Sequence, residues 1–452
     1  MAMQKSLFGA FVDKYFGAVI QKVTERYNGK KELPGYLYEQ MLDQEYSADL
    51  TWSSTELNNS VVAADVVSMD SSLPLKRRGT IRTASGLIPK IGIKKQMKEK
   101  AISDVTVMAS KGQKAESIAA KILNNVPKVI AGVKIRLEIM FEQALSTGFV
   151  LIDSDNNDGT GIRASFGYKD ENTFHAKAAS WDNVDTATPV SDIRQLFDKA
   201  EADGGAIERV YLSKQYFDYA KKSKEVRELV ATSLKQTIVN EAYLPVPARQ
   251  ATLDALQEEF NAEFVVVNNA YVWEDAAGNR NTIRPWEQGN VVAVPALKVG
   301  RLVYGTLAED MNRVAGVTYQ KSDFILVSEY SHNEPSLAEF TAAQALAMPV
   351  IDDGSSIYVL HADAVSPITA EPASLSFTKA ADNTGKKVAV HADGDFTASV
   401  PSDATWATVS KSGNTVVVKV SANSGDARNT TLTLEDVNGN TATVAIAQAK
   451  GN

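Results

Sequence analysis

The chain has 452 residues, 44% of them hydrophobic and 23% charged, with a net charge of −8. That composition belongs to a folded protein with real cores, and at about 150 residues per domain it suggests about three domains. Cysteine is absent and the only histidines are His175, His332, His361 and His391. Disulfides, thiolate metal sites and cysteine nucleophiles are thereby excluded, and no two histidines lie at zinc-binding helical spacing.

No apolar run reaches the ~18 residues of a membrane-crossing helix, so no membrane partner is expected. The opening MAMQKSLFGAFVDKYF meets Asp13 and Lys14 too early for a secretory signal, and the protein is expected to be intracellular when made. The negative balance implies no bulk attraction to nucleic acid, although local basic patches remain.

Over residues 1–50, Leu7, Phe8, Phe11, Tyr15, Val19 and Val23 recur at helical spacing until Gly29 and Pro34-Gly35 end the pattern. This amphipathic segment reads as an arm that packs on something outside its own subunit. Over residues 51–110, Val61, Val62, Val66, Val67, Ile81, Leu87, Ile91 and Ile93 alternate between Gly79, Gly86 and Gly92, which predicts an extended two-stranded excursion. Between Lys76 and Lys100 stand nine basic residues and one acid, Glu99. Such a run is either a solvated face or, through Lys76, Arg77, Arg78, Arg82, Lys90, Lys94 and Lys95, a contact for acidic surfaces of a partner subunit.

The strongest periodicity lies in residues 113–147. Ile118, Ile122, Val126, Val129, Val133, Leu137, Met140 and Ala144 mark one face of a helix that would span roughly 50 Å. Pro127 should kink or restart it and Gly148 should stop it. Residues 149–178 read as a hairpin, FVLI then DSDNNDGTG then IRASFGY. Residues 190–310 alternate, with helices predicted at Val190–Gly204 and Lys214–Ala231 and buried strands at Val210–Leu212, Glu263–Val267 and Val291–Val294. Strand character returns at Val314–Tyr319 and Phe324–Tyr330. After the linker Val365-Ser366-Pro367, short β runs and Ser/Thr/Asn/Gly turns predict a small sandwich over residues 366–452.

Candidate chemistry is sparse. Asp153, Asp155, Asn157 and Asp158 have the oxygens of a calcium loop, but the required Gly and Glu positions hold Asp158 and Ala164, so a hairpin turn is the better reading. Gly159-Thr-Gly161-Ile-Arg-Ala164 mimics a dinucleotide fingerprint, yet it is followed by a strand pattern rather than a helix. Asp352-Asp353 and Glu258-Glu259 are ordinary surface pairs more than acid–base couples. Trp406 is a sandwich-core residue more than a sugar platform. No catalytic residue, cofactor or metal is expected, and the chain reads as a non-enzyme.

The order of elements resembles the major capsid proteins of tailed phages, and more closely the lambdoid major capsid protein E family. The carriers are Ala144-Leu-Ser-Thr-Gly148, the hairpin FVLIDSDNNDGTGIRASFGY, and Met348-Pro-Val with IYVLHADA ending at Ala364. The resemblance implies an α+β capsid fold: N-terminal arm 1–50, E-loop 51–110, P-domain 111–190 with the spine helix, A-domain 191–310, and P-domain return strands 311–364. The tail resembles the BACON domain through Pro372-Ala-Ser-Leu-Ser-Phe377, Trp406-Ala-Thr-Val-Ser410, Val420-Ser-Ala-Asn423, Arg428-Asn-Thr-Thr431 and Ile446-Ala-Gln448. That implies an all-β immunoglobulin-like sandwich, with Phe396 where the family often has Trp.

Together the resemblances imply a virion protein assembled in the host bacterial cytoplasm. It would self-assemble into pentamers and hexamers of an icosahedral head. Phe8, Phe11, Tyr15 and the basic stretch would contact neighbouring copies. The expected partners are portal, scaffold and other head proteins and packaged double-stranded DNA bound non-specifically; the C-terminal domain is either an adhesin for host or mucosal glycans, with Trp406 as a possible contact, or a lattice clamp or solvated decoration of the capsid. The alternatives are a secreted carbohydrate-binding or carbohydrate-active protein, and another phage structural subunit such as a tail tube.

Overall fold

In the computed structural model, the periodic stretch around Pro127 is divided. Helices Glu99–Ser110 and Ala115–Ile122 lead through a 3-10 turn, Leu123–Asn125, into a 22-residue helix, Val126–Thr147. The structure describes residues 4–28, 35–57, 81–153, 157, 161–235, 244–275, 277–333, 336–365, 368–392, 396–436 and 440–451. Pro127 sits in the first turn of the long helix, where its missing N–H has no partner to lose and its fixed φ suits the start. Proline therefore restarts the spine rather than bending it. Gly148 ends it at φ 79°, its N–H bonded to Ala144 O at 2.8 Å. A Cβ there would fall 2.6 Å from the Tyr168 ring, so both backbone sign and space require glycine.

The spine stripe is buried throughout: Val126, Val129, Val133, Leu137, Met140 and Ala144 are each no more than 1% exposed. Its first half shares a core with the N-terminal helix Gly9–Asn28. Its second half shares another with Tyr38, Trp52, Tyr211, Trp286 and Val292.

Two sheets flank this core. The first, of six strands, runs Leu42–Tyr46, Gly300–Gly305, Ala338–Ile351, Ile325–His332, Thr318–Ser322, with Lys90–Lys98 also paired to Ala338–Leu346. The second, of five strands, runs Thr173–Ala176, Tyr358–Val365, Asn290–Val294, Arg209–Ser213, Glu263–Val267. Helices Pro189–Ala202, Lys214–Ala220, Lys224–Ser233 and Arg249–Phe260 belong to this second body. The single helix expected over Lys214–Ala231 is two, because Ser223 caps a new start by accepting from the Val226 N–H at 3.4 Å.

The sheets do not follow the expected segment limits. Gly300–Gly305 pairs with Ala338–Ile351 and so joins the first sheet, although it falls before residue 311. Tyr358–Val365 pairs with Asn290–Val294 and Thr173–Ala176 and joins the second, although it follows residue 311. Chain crossings between the two bodies are set by pairing, which composition along the chain does not report.

The C-terminal region is an all-β sandwich of two four-stranded sheets. One orders Thr369–Glu371, Asp382–His391, Thr415–Val420, Ala407–Ser412; the other orders Ser374–Phe377, Thr441–Gln448, Arg428–Asp436, Phe396–Ser399. Val416, Val418, Leu432, Leu434 and Val444 are 0% exposed and fill the space between them, the period-two pattern of an aligned sandwich.

Candidate assembly surfaces

The N-terminal helix does not wait for a neighbour. Val12, Phe16 and Ile20 are 0%, 1% and 3% exposed against the chain's own spine and first sheet. The expectation that the arm must bury its apolar face outside its subunit is therefore corrected. Both Phe11-Tyr15-Val19 and Val12-Phe16-Ile20 are apolar at helical spacing, and the second series is the one turned inward. Phe8, Phe11 and Tyr15 lie half-buried at the rim of that contact. Tyr15 Oη donates to Glu116 Oε1 at a long 3.4 Å. Ahead of the helix, Gln4 exchanges both backbone hydrogen bonds with Ser331, at 3.1 and 2.9 Å.

The extended excursion is a ribbon, Thr51–Leu57 antiparallel to Ile81–Leu87, with Glu56 opposite Arg82 in the register. Its base is anchored by Trp52, 6% exposed. A Cβ on Gly86 would meet the Trp52 indole at 2.9 Å. Lys76, Arg77 and Arg78, like valines 61, 62, 66 and 67, lie outside the described residues.

Lys90, Lys94 and Lys95 are not part of that ribbon. They sit on Lys90–Lys98, a strand bonded to Ala338–Leu346 in the body sheet. Ile91, Ile93 and Met97 pack toward the spine core, and Lys90 and Lys94 project from the opposite, exposed face. Lys95 falls on the inner side and is half-buried. The Lys94 ammonium lies 5.9 Å above the Phe340 ring. Lysines at such positions also discourage unplanned strand addition.

Beneath these surfaces runs a polar seam that sequence reasoning missed. Lys134, Glu138, Glu142 and Ser146 follow at one-turn spacing along the spine and are 3%, 0%, 0% and 0% exposed. Lys134 pairs with Glu39 at 2.8 Å. Glu138 accepts from the Leu37 and Tyr38 backbone N–H groups at 2.7 and 3.0 Å. Glu142 accepts from Asn269 Nδ2 and from Tyr271 Oη, the latter at 3.3 Å. Ser146 accepts from the Glu287 N–H at 3.1 Å, and its carbonyl from Asn290 Nδ2 at 2.7 Å. Burial, then the neighbouring Glu142 charge, pushes the Glu138 carboxyl up to about 8. Burial also raises Glu142. The available sign was Lys134, Glu138, Glu142 and Ser146 at i, i+4, i+8 and i+12, a polar stripe beside the apolar one.

A groove of about 530 Å³ is lined by Asp43, Glu45, Lys298, Arg301, Asp352 and Asp353 among others. Its charges are engaged with one another. Arg301 binds Asp352 Oδ1 at 2.7 Å, Glu45, and the Ser53 carbonyl at 2.9 Å. Lys298 binds Asp43 at 2.9 Å. Asp353 accepts from the Ser355 N–H at 3.0 Å and holds a turn. Glu259 pairs with Arg194 and Glu258 accepts from Ser233 Oγ at 2.6 Å. Both acidic pairs thus have structural partners. Among the described residues no cluster of three or more His, Asp or Glu is arranged to hold a metal. Most of the acidic turn after Asp153 lies outside the described residues; the flanking Phe149–Ile152 and Ile162–Ser165 form the hairpin.

In the sandwich, Trp406 is half-buried against the core. The Arg428 guanidinium lies 4.6 Å from its ring centre and is itself held by Gln448 Oε1 at 2.9 Å and the Ser421 carbonyl at 3.0 Å. That ring face is occupied, which argues against Trp406 as a sugar platform. Phe396 is 4% exposed, with the Lys411 ammonium 3.9 Å from its ring centre.

Comparison with known proteins completes the description. A prophage protein of E. coli CFT073 is 12% identical, over 77% of this chain and 99% of its own, with a TM-score of 0.46. A phage-related protein of Bordetella bronchiseptica RB50 is 13% identical, over 76% of this chain and 96% of its own, with a TM-score of 0.44. The cyanophage A-1(L) capsid is 12% identical, over 74% of this chain and 92% of its own, with a TM-score of 0.40. No curated protein matches the chain. A model of the BACON domain matches residues 396–449. The model of phage major capsid protein E matches residues 20–355, and with that span covering most of both sheets and the whole spine, the chain belongs to the phage major capsid protein E family.

Proposed function

We propose that copies of this chain form the pentamers and hexamers of an icosahedral phage head that encloses double-stranded DNA. The family match over residues 20–355 carries the reading. The physical picture agrees with it: two sheets and a spine with cores of their own, and a ribbon, Thr51–Leu57 with Ile81–Leu87, that pairs with neither sheet. In this reading Lys76, Arg77 and Arg78 meet acidic surfaces of a neighbour and fix register more than they add affinity. The net charge of −8 suits a shell that holds DNA without clamping it. Portal, scaffold and other head proteins are its partners, and assembly takes place in the bacterial cytoplasm. The work is done by surfaces and not by catalysis.

The C-terminal sandwich is proposed to project outward, as a decoration or as an adhesin for host or mucosal glycans multiplied by copy number. The expressed full chain, viewed by negative-stain microscopy with and without a co-expressed scaffold, tests the shell. Capsomers or shells support it, and a stable monomer under both conditions sinks it. Glycan-array binding by the assembled particles tests the adhesin; no binding by particles, which are already multivalent, removes it.

A further inference from the structure

We propose that Glu138 and Glu142 share one proton and form a clasp joining three parts of the subunit, and that losing the proton releases two of those parts from the spine helix. The first is the N-terminal segment Leu37–Met41, whose Leu37 and Tyr38 N–H groups are bound by Glu138. The second is the base of the hairpin formed by Tyr271–Glu274 and Arg280–Ile283, held to Glu142 through Asn269 and Tyr271.

The geometry argues for a shared proton. The two carboxyls stand one turn apart on the same face, both 0% exposed, and within hydrogen-bonding reach of each other. Glu142 Oε2 is buried and accepts from no N–H or O–H of the described chain. A proton carried by Glu138 is the donor that this oxygen lacks. Two buried carboxylates at this distance would repel with little water to screen them, so one stays protonated.

The charged and titratable groups around the pair reinforce this. From the N-terminal segment come Tyr36, Tyr38 and Glu39; from the hairpin comes Tyr271; from the spine itself comes Lys134. Lys134 is bound to Glu39, and Tyr38 and Tyr271 are held neutral by burial and by the nearby carboxylates. Burial and mutual repulsion place the Glu138 transition near pH 8. When the proton leaves, Glu138 still accepts from the two backbone amides, but the contact between the carboxyls turns repulsive. The parts tied to each carboxyl are then the ones that move.

Hydrogen exchange on the full chain tests this, with rates corrected for the intrinsic effect of pH. Protection of the Leu37 and Tyr38 amides is expected to fall at least about tenfold between pH 6 and pH 9 in the wild type. In Glu138→Gln it stays constant, since the amide donates to Glu142 at every pH. Unchanged wild-type protection, or an equal fall in Glu138→Gln, overturns the proposal. Should Glu138→Gln not fold, infrared spectroscopy of the wild type decides. Loss of protonated-carboxyl intensity between pH 7 and pH 9 supports the clasp, and constant intensity across that range overturns it.

Discussion

Replacing Phe16 with Ala asks whether the N-terminal helix truly belongs to its own subunit. Phe16 is 1% exposed and shares a core with Val12, Ile20, Ile122, Val126 and Val129. Truncating a buried Phe removes its transfer energy and leaves a cavity, about 3–5 kcal/mol together. The cavity would open between one docked helix and the spine, so the loss should appear as local opening before global unfolding. Since about 1.4 kcal/mol is a factor of ten, opening of Gly9–Asn28 should rise at least about a hundredfold. Tyr15→Ala is the control. Tyr15 is half-buried and its hydrogen bond to Glu116 is long, so about 1–2 kcal/mol is expected. Hydrogen exchange over residues 9–28 reads both variants. Equal effects, or a Phe16→Ala loss below about 1 kcal/mol, would refute an inward Val12-Phe16-Ile20 face and return the helix to a neighbour.

Other outcomes follow from buried charge and from the ribbon. Glu329 is 0% exposed and burial holds its carboxyl well above the usual carboxylate range, so Glu329→Met should stabilise by roughly 1–3 kcal/mol in urea titrations. Folding should weaken as pH rises from about 5 to about 8. Burial lifts Asp192 to about 6 and Glu138 to about 8, so the folded chain holds protons that the unfolded chain releases in that window. Midpoints of denaturation that rise across the same window contradict this. Arg428→Ala uncovers the Trp406 ring and removes hydrogen bonds to Gln448 and Ser421, and should cost about 1–3 kcal/mol in the sandwich transition by calorimetry. Changing Lys76, Arg77 and Arg78 together to Glu should leave a folded subunit by circular dichroism that no longer closes shells by microscopy; normal shells would remove the register role.

Much of this architecture was legible because burial is periodic. The Ile118–Ala144 stripe announced the spine, Pro127 and Gly148 marked a restart and an end, and alternating valines at 416, 418 and 420 announced the sandwich. The long strand Ala338–Ile351 escaped notice because its alanines carry weak β preference. Ala343 and Ala345 are 1% and 0% exposed in the core shared with the spine, so small size allows close packing that propensity does not report. The inward face of the N-terminal helix was misplaced by one residue because two adjacent stripes are both apolar. Lys90, Lys94 and Lys95 were assigned to the excursion because pairing with residues 338–346 is a long-range fact. Glu138 and Glu142 belong to no motif in the sequence, and only the fold shows what covers them.

The central claim is that this subunit builds a closed shell. Cryo-electron microscopy of particles formed by the expressed full chain tests it most directly. The account predicts closed particles with fivefold and sixfold clusters of subunits, each with its Gly9–Asn28 helix against its own spine and its C-terminal sandwich on the outer surface. Open tubes, or sandwiches lining the interior, would contradict it.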